Sequence, residues 1–370
     1  MSEQFGELRP PLRVLMGPGP SNTHPRVLAA LGAPTIGHLD PAYLEMMNEV
    51  SEMLRMVMRT RNRLTFAVSG TGSAGMEAAL VNVLEPGDEA VVCINGVFGM
   101  RMADIVERCG AAVVPVEVEW GKPVPPQAVA ETLKGRGPKV VCLVHAETST
   151  GVLTPPAEIA RLARESGALM LLDTVTSLGG CRVEVDAWGV DVCYSGTQKC
   201  LSCPPGLAPI TFSERALEVV RSRRSKVQSW YLDLTGLERY WGAERVYHHT
   251  APVNMTYGLR EALRIVLEEG LEERWERHAR VHKMLVEGLA EMGLELLPDG
   301  PFRLPMLNAV KVPEGVDEAK VRTALLERFG IEIGAGLGPL KGRIWRVGLM
   351  GHTATEANVA YLLHALGQLL

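Results

Sequence analysis

The amino-acid sequence predicts an α/β protein in which a mostly parallel sheet lies between helices, followed by a smaller α+β domain. The first observation is that near-continuous apolar runs alternate with helical patterns from Leu64 onward, which is typical of parallel strands covered on both faces. The second is that two long helical patterns replace this alternation after residue 251. The length of 370 residues also favours two domains. We expect an arm over residues 1–17, a large domain over 18–268 and a small domain over 269–370.

Each element follows from the spacing of apolar residues and from the breakers between them. The start of the chain is polar and punctuated by prolines, and Gly17-Pro18-Gly19-Pro20-Ser21-Asn22 can form only a turn. In the first part we predict strands over 64–69, 90–94, 111–118, 140–144 and 169–175, with helices over 43–58, 73–84, 98–109 and 155–166. In the second part we predict helices over 257–268, 272–292 and 317–329, strands over 307–312, 331–333 and 344–347, and a last helix from residue 354.

Composition and charge exclude several classes of partner. The net charge of -5 gives no reason to expect nucleic acid or an anionic membrane as a partner. The sequence does not open on a basic segment followed by an apolar stretch, and no apolar run reaches the roughly 18 residues of a membrane span. The seven cysteines are odd in number, and several (Cys93, Cys142, Cys193) lie inside predicted strands, which favours reduced thiols. We therefore expect a cytoplasmic protein.

A glycine-rich turn joins the first buried strand to the next helix, with the sequence Ser69-Gly70-Thr71-Gly72-Ser73-Ala74-Gly75. Its backbone amides and hydroxyls, at the positive end of the helix dipole, suit a phosphate group. The glycines also spell Gly-x-Gly-x-x-Gly, a dinucleotide-binding pattern that needs an acidic residue about 20 positions on, at the end of the second strand. Asp88 and Glu89 precede that strand instead, so dinucleotide binding is the weaker interpretation. A third interpretation is that the glycine-rich segment is a purely structural turn.

Two ionisable residues stand at the ends of buried strands, where open α/β sheets bind their ligands. Asp173 ends an apolar strand, and a buried carboxylate there needs a cation beside it. Lys199 follows Asp191-Val192-Cys193-Tyr194 within the run Ser195-Gly196-Thr197-Gln198-Lys199-Cys200. A half-desolvated lysine has a lowered pKa and a free amine that forms Schiff bases with carbonyl compounds such as pyridoxal phosphate. Taken singly, the lysine could be a surface residue and the acid could be satisfied by backbone amides. Together with the phosphate turn, the two are far more specific.

On these residues, the chain resembles the class V aminotransferases of fold type I, in particular the alanine–glyoxylate and serine–pyruvate group. The matching stretches cover most of the chain in one order: Gly17-Pro18-Gly19-Pro20-Ser21-Asn22, the run over 77–88, Glu147-Thr148-Ser149-Thr150-Gly151, Asp173, Ser195-Gly196-Thr197-Gln198-Lys199, Tyr247-His248-His249-Thr250 and Arg346-Val347-Gly348. The resemblance implies a large domain with a mostly parallel sheet of the seven-stranded type, a small α+β domain, and pyridoxal phosphate as cofactor.

The resemblance also implies a role for individual residues. Lys199 carries pyridoxal phosphate as a Schiff base, Asp173 pairs with the pyridine nitrogen, and Arg346 binds the substrate α-carboxylate. The other implied contacts are Thr71, Gly72, Ser73 and Gln198 with the phosphate, Tyr247 and Thr250 with the phosphate of the neighbouring subunit of a homodimer, Thr148 with the hydroxyl side of the ring and the substrate, Ser177 near the cofactor, and Phe98 stacked on the ring. Two positions depart from the family: Phe98 stands where tryptophan is common, and Ser73 where close relatives have histidine.

Two of these features have other interpretations. Arg346 is flanked by apolar residues and could form a structural ion pair instead of a carboxylate site. The pair His248-His249 resembles a metal site only superficially, since no third ligand has suitable spacing, and we expect no metal.

The expected reaction is transamination from alanine or serine to glyoxylate, giving glycine and an oxo acid. The runner-up is another class V aminotransferase, acting on ureidoglycine, phosphoserine or aminoethylphosphonate. A cysteine desulfurase is disfavoured because no cysteine follows Cys203. A nicotinamide-dependent oxidoreductase would use the Gly70-Gly72-Gly75 turn alone and leave Lys199 and Asp173 unexplained. A non-catalytic binding protein would have little reason to keep the lysine.

Overall fold

The computed structural model describes residues 6–370. Its α-helices are α1 Pro25–Leu31, α2 Pro41–Met58, α3 Gly72–Val83, α4 Val97–Arg108, α5 Pro126–Leu133, α6 Ala157–Glu165, α7 Val185–Trp188, α8 Glu214–Arg221, α9 Leu234–Trp241, α10 Val253–Glu269, α11 Leu271–Glu291, α12 Glu318–Phe329 and α13 Glu356–Gly367. Its strands are β1 Val14–Leu15, β2 Leu64–Ser69, β3 Glu89–Ile94, β4 Ala112–Glu117, β5 Val140–Val144, β6 Ala146–Glu147, β7 Val152–Leu153, β8 Leu169–Asp173, β9 Val192–Tyr194, β10 Leu207–Phe212, β11 Leu307–Lys311, β12 Ile331–Glu332, β13 Gly334–Ala335 and β14 Ile344–Gly348. Within this part of the chain, no helix combines the length and the apolar character needed to cross a membrane.

A seven-stranded sheet forms the centre of the larger part of the molecule, in the order β2-β10-β9-β8-β5-β3-β4. All neighbouring strands are parallel except β10, which runs antiparallel to both β2 and β9. Every residue of β5, β8 and β10 is buried, because helices cover the sheet. The predicted α/β class with a mostly parallel sheet is therefore confirmed.

The strand order brings the predicted site to one edge of this sheet. β8 lies between β5 and β9, and Asp173 is in register with Val144 on one side and Tyr194 on the other. The loops that leave the carboxyl ends of these three parallel strands therefore start next to one another. In such sheets the ligand crevice opens at this edge.

A second hydrophobic core lies in the carboxyl-terminal part of the chain, around the three-stranded antiparallel sheet β11-β14-β13. Its buried members include Leu285, Trp345 and Leu362. Helix α11 contacts both cores, since Leu271 packs in the first and Leu285 in the second. The end of the predicted arm also belongs here: β1 pairs in parallel with β12, and Met16 is fully buried in the second core.

Several elements differ from the sequence prediction, which has no counterpart for helices α1, α5, α8 and α9. β8 stops at Asp173 rather than at residue 175, because the carboxylate of Asp173 accepts the N–H of Val175 and turns the chain. Helix α10 begins at Val253, directly after Pro252, four residues earlier than predicted. The prediction also omits β10, whose sequence carries Pro209 in the middle of a central strand.

Candidate active site

Lys199 lies in the turn after β9, and only 7% of its surface is exposed. Its Nζ donates a hydrogen bond to the carbonyl oxygen of Pro18. The neighbouring Gly19 has a φ of +105°, and a Cβ there would lie 2.7 Å from Cδ of Lys199, so this position requires glycine. Burial, followed by the positive charge of Arg346, lowers the pKa of the lysine to about 8. On the order of a tenth of the amine is therefore neutral at pH 7, far more than for a lysine in water.

Asp173 is a buried carboxylate held by neutral groups. Its Oδ2 accepts the hydroxyl of Tyr194 at 2.6 Å, and its Oδ1 accepts the N–H of Val175 at 2.7 Å. Burial raises the pKa of this carboxyl to about 6, although both hydrogen bonds and the charge of Lys199 oppose the rise. Such a group is stabilised by any cation placed against it. Tyr194, which sequence reasoning left without a role, fixes the orientation of the carboxylate.

The glycine-rich turn presents the open end of a helix. Helix α3 begins at Gly72, and the side chain of the preceding Thr71 makes no capping hydrogen bond. The first amides of a helix have no partner within the helix, so they are available to an anion. A Cβ at Gly72 would lie 3.3 Å from Val175, in the loop that follows Asp173. The glycine-rich turn and the loop after Asp173 are thus adjacent.

Gln198 adds an unsatisfied polar atom to the same region. Its Oε1 is buried and has no hydrogen-bond partner among the described residues. The oxygen and nitrogen of an amide side chain exchange places on a 180° flip, so this position can present a donor as well as an acceptor. A buried orphan of this kind is uncommon in folded proteins and calls for an explanation.

Phe98 lies in the first turn of α4, and that turn is fixed by two residues with no role in the sequence prediction. The Oε2 of Glu147 accepts the N–H of Phe98 at 3.2 Å, and the Oγ of Ser149 accepts the N–H of Val97 at 3.0 Å. Ser149 in turn donates its N–H and its hydroxyl to Oε1 of Glu147. Because Gly96 supplies no side-chain cap, Glu147 and Ser149 cap the helix from a distant loop. A carboxylate that directly follows the buried strand β5 and its short continuation was the available signal.

Arg346 points from β14 toward this edge of the sheet. Its Nε donates to the carbonyl oxygen of Ala335 at 2.6 Å and its Nη1 to that of Thr148 at 3.4 Å. Burial lowers the pKa of the guanidinium to about 10, and the negative charge of Glu147 opposes the change. Among residues 6–370 it forms no ion pair, so the structural alternative considered from the sequence is not realised. The guanidinium of Arg346 therefore retains N–H donors that can bind a carboxylate.

The remaining predicted residues fall into two groups. Thr148 and Ser177 are buried nearby, but their hydroxyls already bond to Thr176 at 2.6 Å and to Nδ1 of His145 at 2.9 Å. Tyr247 and Thr250 lie on the loop between α9 and α10 and are exposed, Tyr247 by 56%.

The two histidines between Tyr247 and Thr250 contact each other and the side chains around them. Nδ1 of His248 lies 2.8 Å from Nδ1 of His249, and Nε2 of His249 lies 2.7 Å from Oγ of Ser69. The ring of His248 also stacks on Trp230, with centroids 4.7 Å apart. These contacts tie the loop to the last residue of β2.

Comparison with known proteins agrees with this geometry. The family model described as "Aminotransferase class-V" matches residues 18–359. The chain is 42% identical to (S)-ureidoglycine–glyoxylate transaminase of Bacillus subtilis, over 98% of this chain and 92% of the relative, and 43% identical to alanine–glyoxylate aminotransferase of Callithrix jacchus, over 97% and 88%. The crystal structure of alanine–glyoxylate aminotransferase from Nostoc sp. superposes with a TM-score of 0.97 at 48% identity, covering 99% of this chain and 97% of that one. The chain belongs to the class V aminotransferases.

Proposed function

We propose that the protein uses pyridoxal phosphate to transfer the amino group of alanine or serine to glyoxylate. The observation that carries the proposal is the buried Lys199 amine with its lowered pKa, close to the carboxylate of Asp173 and the guanidinium of Arg346, neither of which forms an ion pair within residues 6–370. The relatives support the acceptor, since the three named above are glyoxylate aminotransferases. Family membership favours this function over a nicotinamide-dependent oxidoreductase, which would leave the lysine unused.

The residues present suit the cofactor. The uncapped start of α3, at Thr71, Gly72 and Ser73, would hold the phosphate, and the unsatisfied amide of Gln198 would gain a partner there. The carboxylate of Asp173 would pair with the protonated pyridine nitrogen, which removes the cost of burying it alone. Phe98 would stack on the ring with a smaller area than tryptophan offers. When bound, pyridoxal phosphate supplies the electron sink that stabilises negative charge at the substrate α-carbon.

The protein's own groups perform the remaining tasks. Arg346 binds the α-carboxylate of the amino acid and fixes its orientation, helped by Thr148 on the facing loop. Nζ of Lys199, whose lowered pKa makes the neutral amine accessible, removes the α-proton and later returns a proton, as a general base and then a general acid. Ser177 would lie near the cofactor, where its hydroxyl is hydrogen-bonded to Nδ1 of His145. The oxo acid leaves before glyoxylate enters, so the reaction takes place in two halves.

The same proposal includes the assembly of the protein. Tyr247 and Thr250 are exposed in the single chain, and we place them against the phosphate group of a second copy in a homodimer. We also place the arm at 1–17, of which residues 1–5 lie outside the described part of the chain, the large domain at 18–268 and the small domain at 269–370. The cysteines in the described part of the chain are free and mostly buried, which supports a reducing, cytoplasmic compartment.

A donor panel tests the reaction. Purified protein loaded with pyridoxal phosphate is mixed with glyoxylate or pyruvate and with alanine, serine, (S)-ureidoglycine or aspartate, and glycine or the new amino acid is measured. We expect glycine from glyoxylate with alanine or serine, and none with Lys199→Ala. The absence of glycine with every donor would contradict the proposal.

A second candidate is transamination from (S)-ureidoglycine to glyoxylate. It is favoured by the Bacillus subtilis relative and by the crystal structure of ureidoglycine–glyoxylate aminotransferase from that organism, which has a TM-score of 0.97 at 44% identity and covers 99% of this chain and 94% of that one. The panel separates the two candidates through kcat/KM: a value for (S)-ureidoglycine well above those for alanine and serine would replace the first candidate by the second.

A further inference from the structure

Arg101 is a charged side chain beside the phosphate turn to which nothing above assigns a task. It lies on α4, one helical turn after Phe98. Its Nη1 donates a hydrogen bond to Oγ of Ser73 at 3.2 Å, and its Cζ lies 4.8 Å from the centroid of the Phe98 ring. The guanidinium therefore bridges the first turn of α3 and the first turn of α4, the two segments that frame the proposed cofactor site.

The charge of Arg101 is not neutralised by the described part of the chain. Within residues 6–370, no carboxylate lies at ion-pair distance from it, whereas Arg108, two turns later on the same helix, pairs with Asp104 at 2.7 Å. The charge also reaches the interior of the site, because it acts to lower the pKa of Asp173. An arginine placed at the site without an acidic partner retains donors and charge for an anion.

We propose that Arg101 supplies one unit of positive charge to the subsite for the cofactor phosphate. This inference rests on the proposed function. Ser73 is neutral, and the start of α3 contributes only the partial charge of its dipole. A phosphate monoester carries close to two negative charges, and a guanidinium fork matches its oxygens. Arg101 is seated against Ser73, so it can bind the phosphate directly or through the serine hydroxyl. A chain without histidine at position 73 thus obtains its cation from the next helix.

The test compares pyridoxal phosphate with pyridoxal, which has the same ring and aldehyde but no phosphate. Dissociation constants for both are measured on cofactor-free protein from the visible absorption of the bound form. The variants are Arg101→Gln, Arg101→Lys and, as a matched control on the same helix, Arg108→Gln. We expect Arg101→Gln to weaken binding of pyridoxal phosphate about tenfold, which is the usual effect of one charge-assisted contact. The dissociation constant of pyridoxal should not change. Arg101→Lys should recover most of the affinity, and Arg108→Gln should match the wild type.

Two outcomes would overturn the inference while leaving the proposed function intact. One is an Arg101→Gln variant with wild-type affinity for pyridoxal phosphate. The other is equal weakening of both ligands, which would assign Arg101 to the Phe98 ring rather than to the phosphate. A wild-type protein that binds no pyridoxal phosphate would overturn the proposed function and the inference with it. Thermal unfolding of the cofactor-free variants checks that the exposed substitution leaves the fold unchanged.

Discussion

At the scale of single residues, the environment of Lys199 determines its chemistry. A lysine in water is almost fully protonated at neutral pH, and only its burial, with Arg346 nearby, frees the amine. The same burial acts in the opposite direction on the carboxyl of Asp173, whose pKa it raises. The two pKa values move in opposite directions because burial disfavours the charged form of each group, which is the protonated form of lysine and the deprotonated form of aspartate. A strand-end lysine and a strand-end acid can be found in a sequence, but their pKa values follow from the packing around them.

The lowered pKa of Lys199 predicts the pH dependence of cofactor uptake by cofactor-free protein. Only the neutral amine attacks an aldehyde, so the uptake rate should rise with pH through about 8 and then level off. Stopped-flow absorbance from pH 6.5 to 10 measures this. Arg346→Gln removes a charge that lowers the pKa, so its midpoint should move upward, while Arg346→Lys should keep the wild-type midpoint. A rate still rising steeply at pH 10, the range of an ordinary lysine, would contradict the account.

At the scale of elements, the site depends on how the first turn of α4 is held. Phe98 is positioned by a hydrogen bond from its N–H to Glu147, 49 residues away in β6, and the helix has no cap of its own. Glu147 is completely buried, and burial raises the pKa of its carboxyl. The three hydrogen bonds that it accepts offset the free-energy cost of burying the carboxylate.

Glu147→Ala should therefore damage both the fold and the site. The N–H of Phe98 and both donors of Ser149 lose their acceptor, which we expect to lower the free energy of unfolding of cofactor-free protein by about 2 kcal/mol or more. Affinity for pyridoxal phosphate should fall as well, because Phe98 loses its anchor. Denaturant titration and cofactor binding measure the two effects, with Ser149→Ala as a milder variant that affects the Val97 contact. An alanine variant as stable as the wild type would show that Glu147 does not hold this turn.

The elements also show where sequence reasoning succeeds and where it stops. β5 and β8 are fully apolar runs, and an acid at the end of β8 was enough to place Asp173 at the sheet edge. β10 was omitted because Pro209 lies at its centre, a residue that usually argues against a central strand. The position of Glu147 soon after β5 was a signal, but its role in capping α4 was not, since its partner Phe98 is distant along the chain. The contact between Arg101 and Ser73 was hidden for the same reason.

At the scale of the whole molecule, the proposed site draws on both hydrophobic cores. Lys199 and Asp173 follow strands of the large sheet, whereas Arg346 lies on β14 beside the second core. The turn that directly follows the arm takes part as well, because Pro18 and Gly19 contact the lysine. The sequence identified these residues one by one, but not that the arm pairs with β12. Tyr247 and Thr250 are left at the surface, where only a second copy could give them the proposed task.

Mixing two inactive variants tests whether Tyr247 and Thr250 act in the site of the neighbouring subunit. In a mixed dimer of Lys199→Ala with the double variant Tyr247→Ala and Thr250→Ala, one site has a wild-type lysine and receives the wild-type loop from the partner. Random exchange should therefore restore about a quarter of wild-type activity, because half of the dimers contain one intact site out of two. Activity equal to the mean of the two separate variants would argue that the loop does not act across an interface.

The most direct test of the central claim is a transfer carried out in two separate halves. Protein loaded with pyridoxal phosphate is incubated with alanine labelled at its nitrogen, freed of the amino acid by gel filtration, and then given glyoxylate. The account predicts about one equivalent of labelled glycine per active site and none from Lys199→Ala, because the amino group stays on the protein between the halves. Labelled glycine that forms only when alanine and glyoxylate are present together would contradict it.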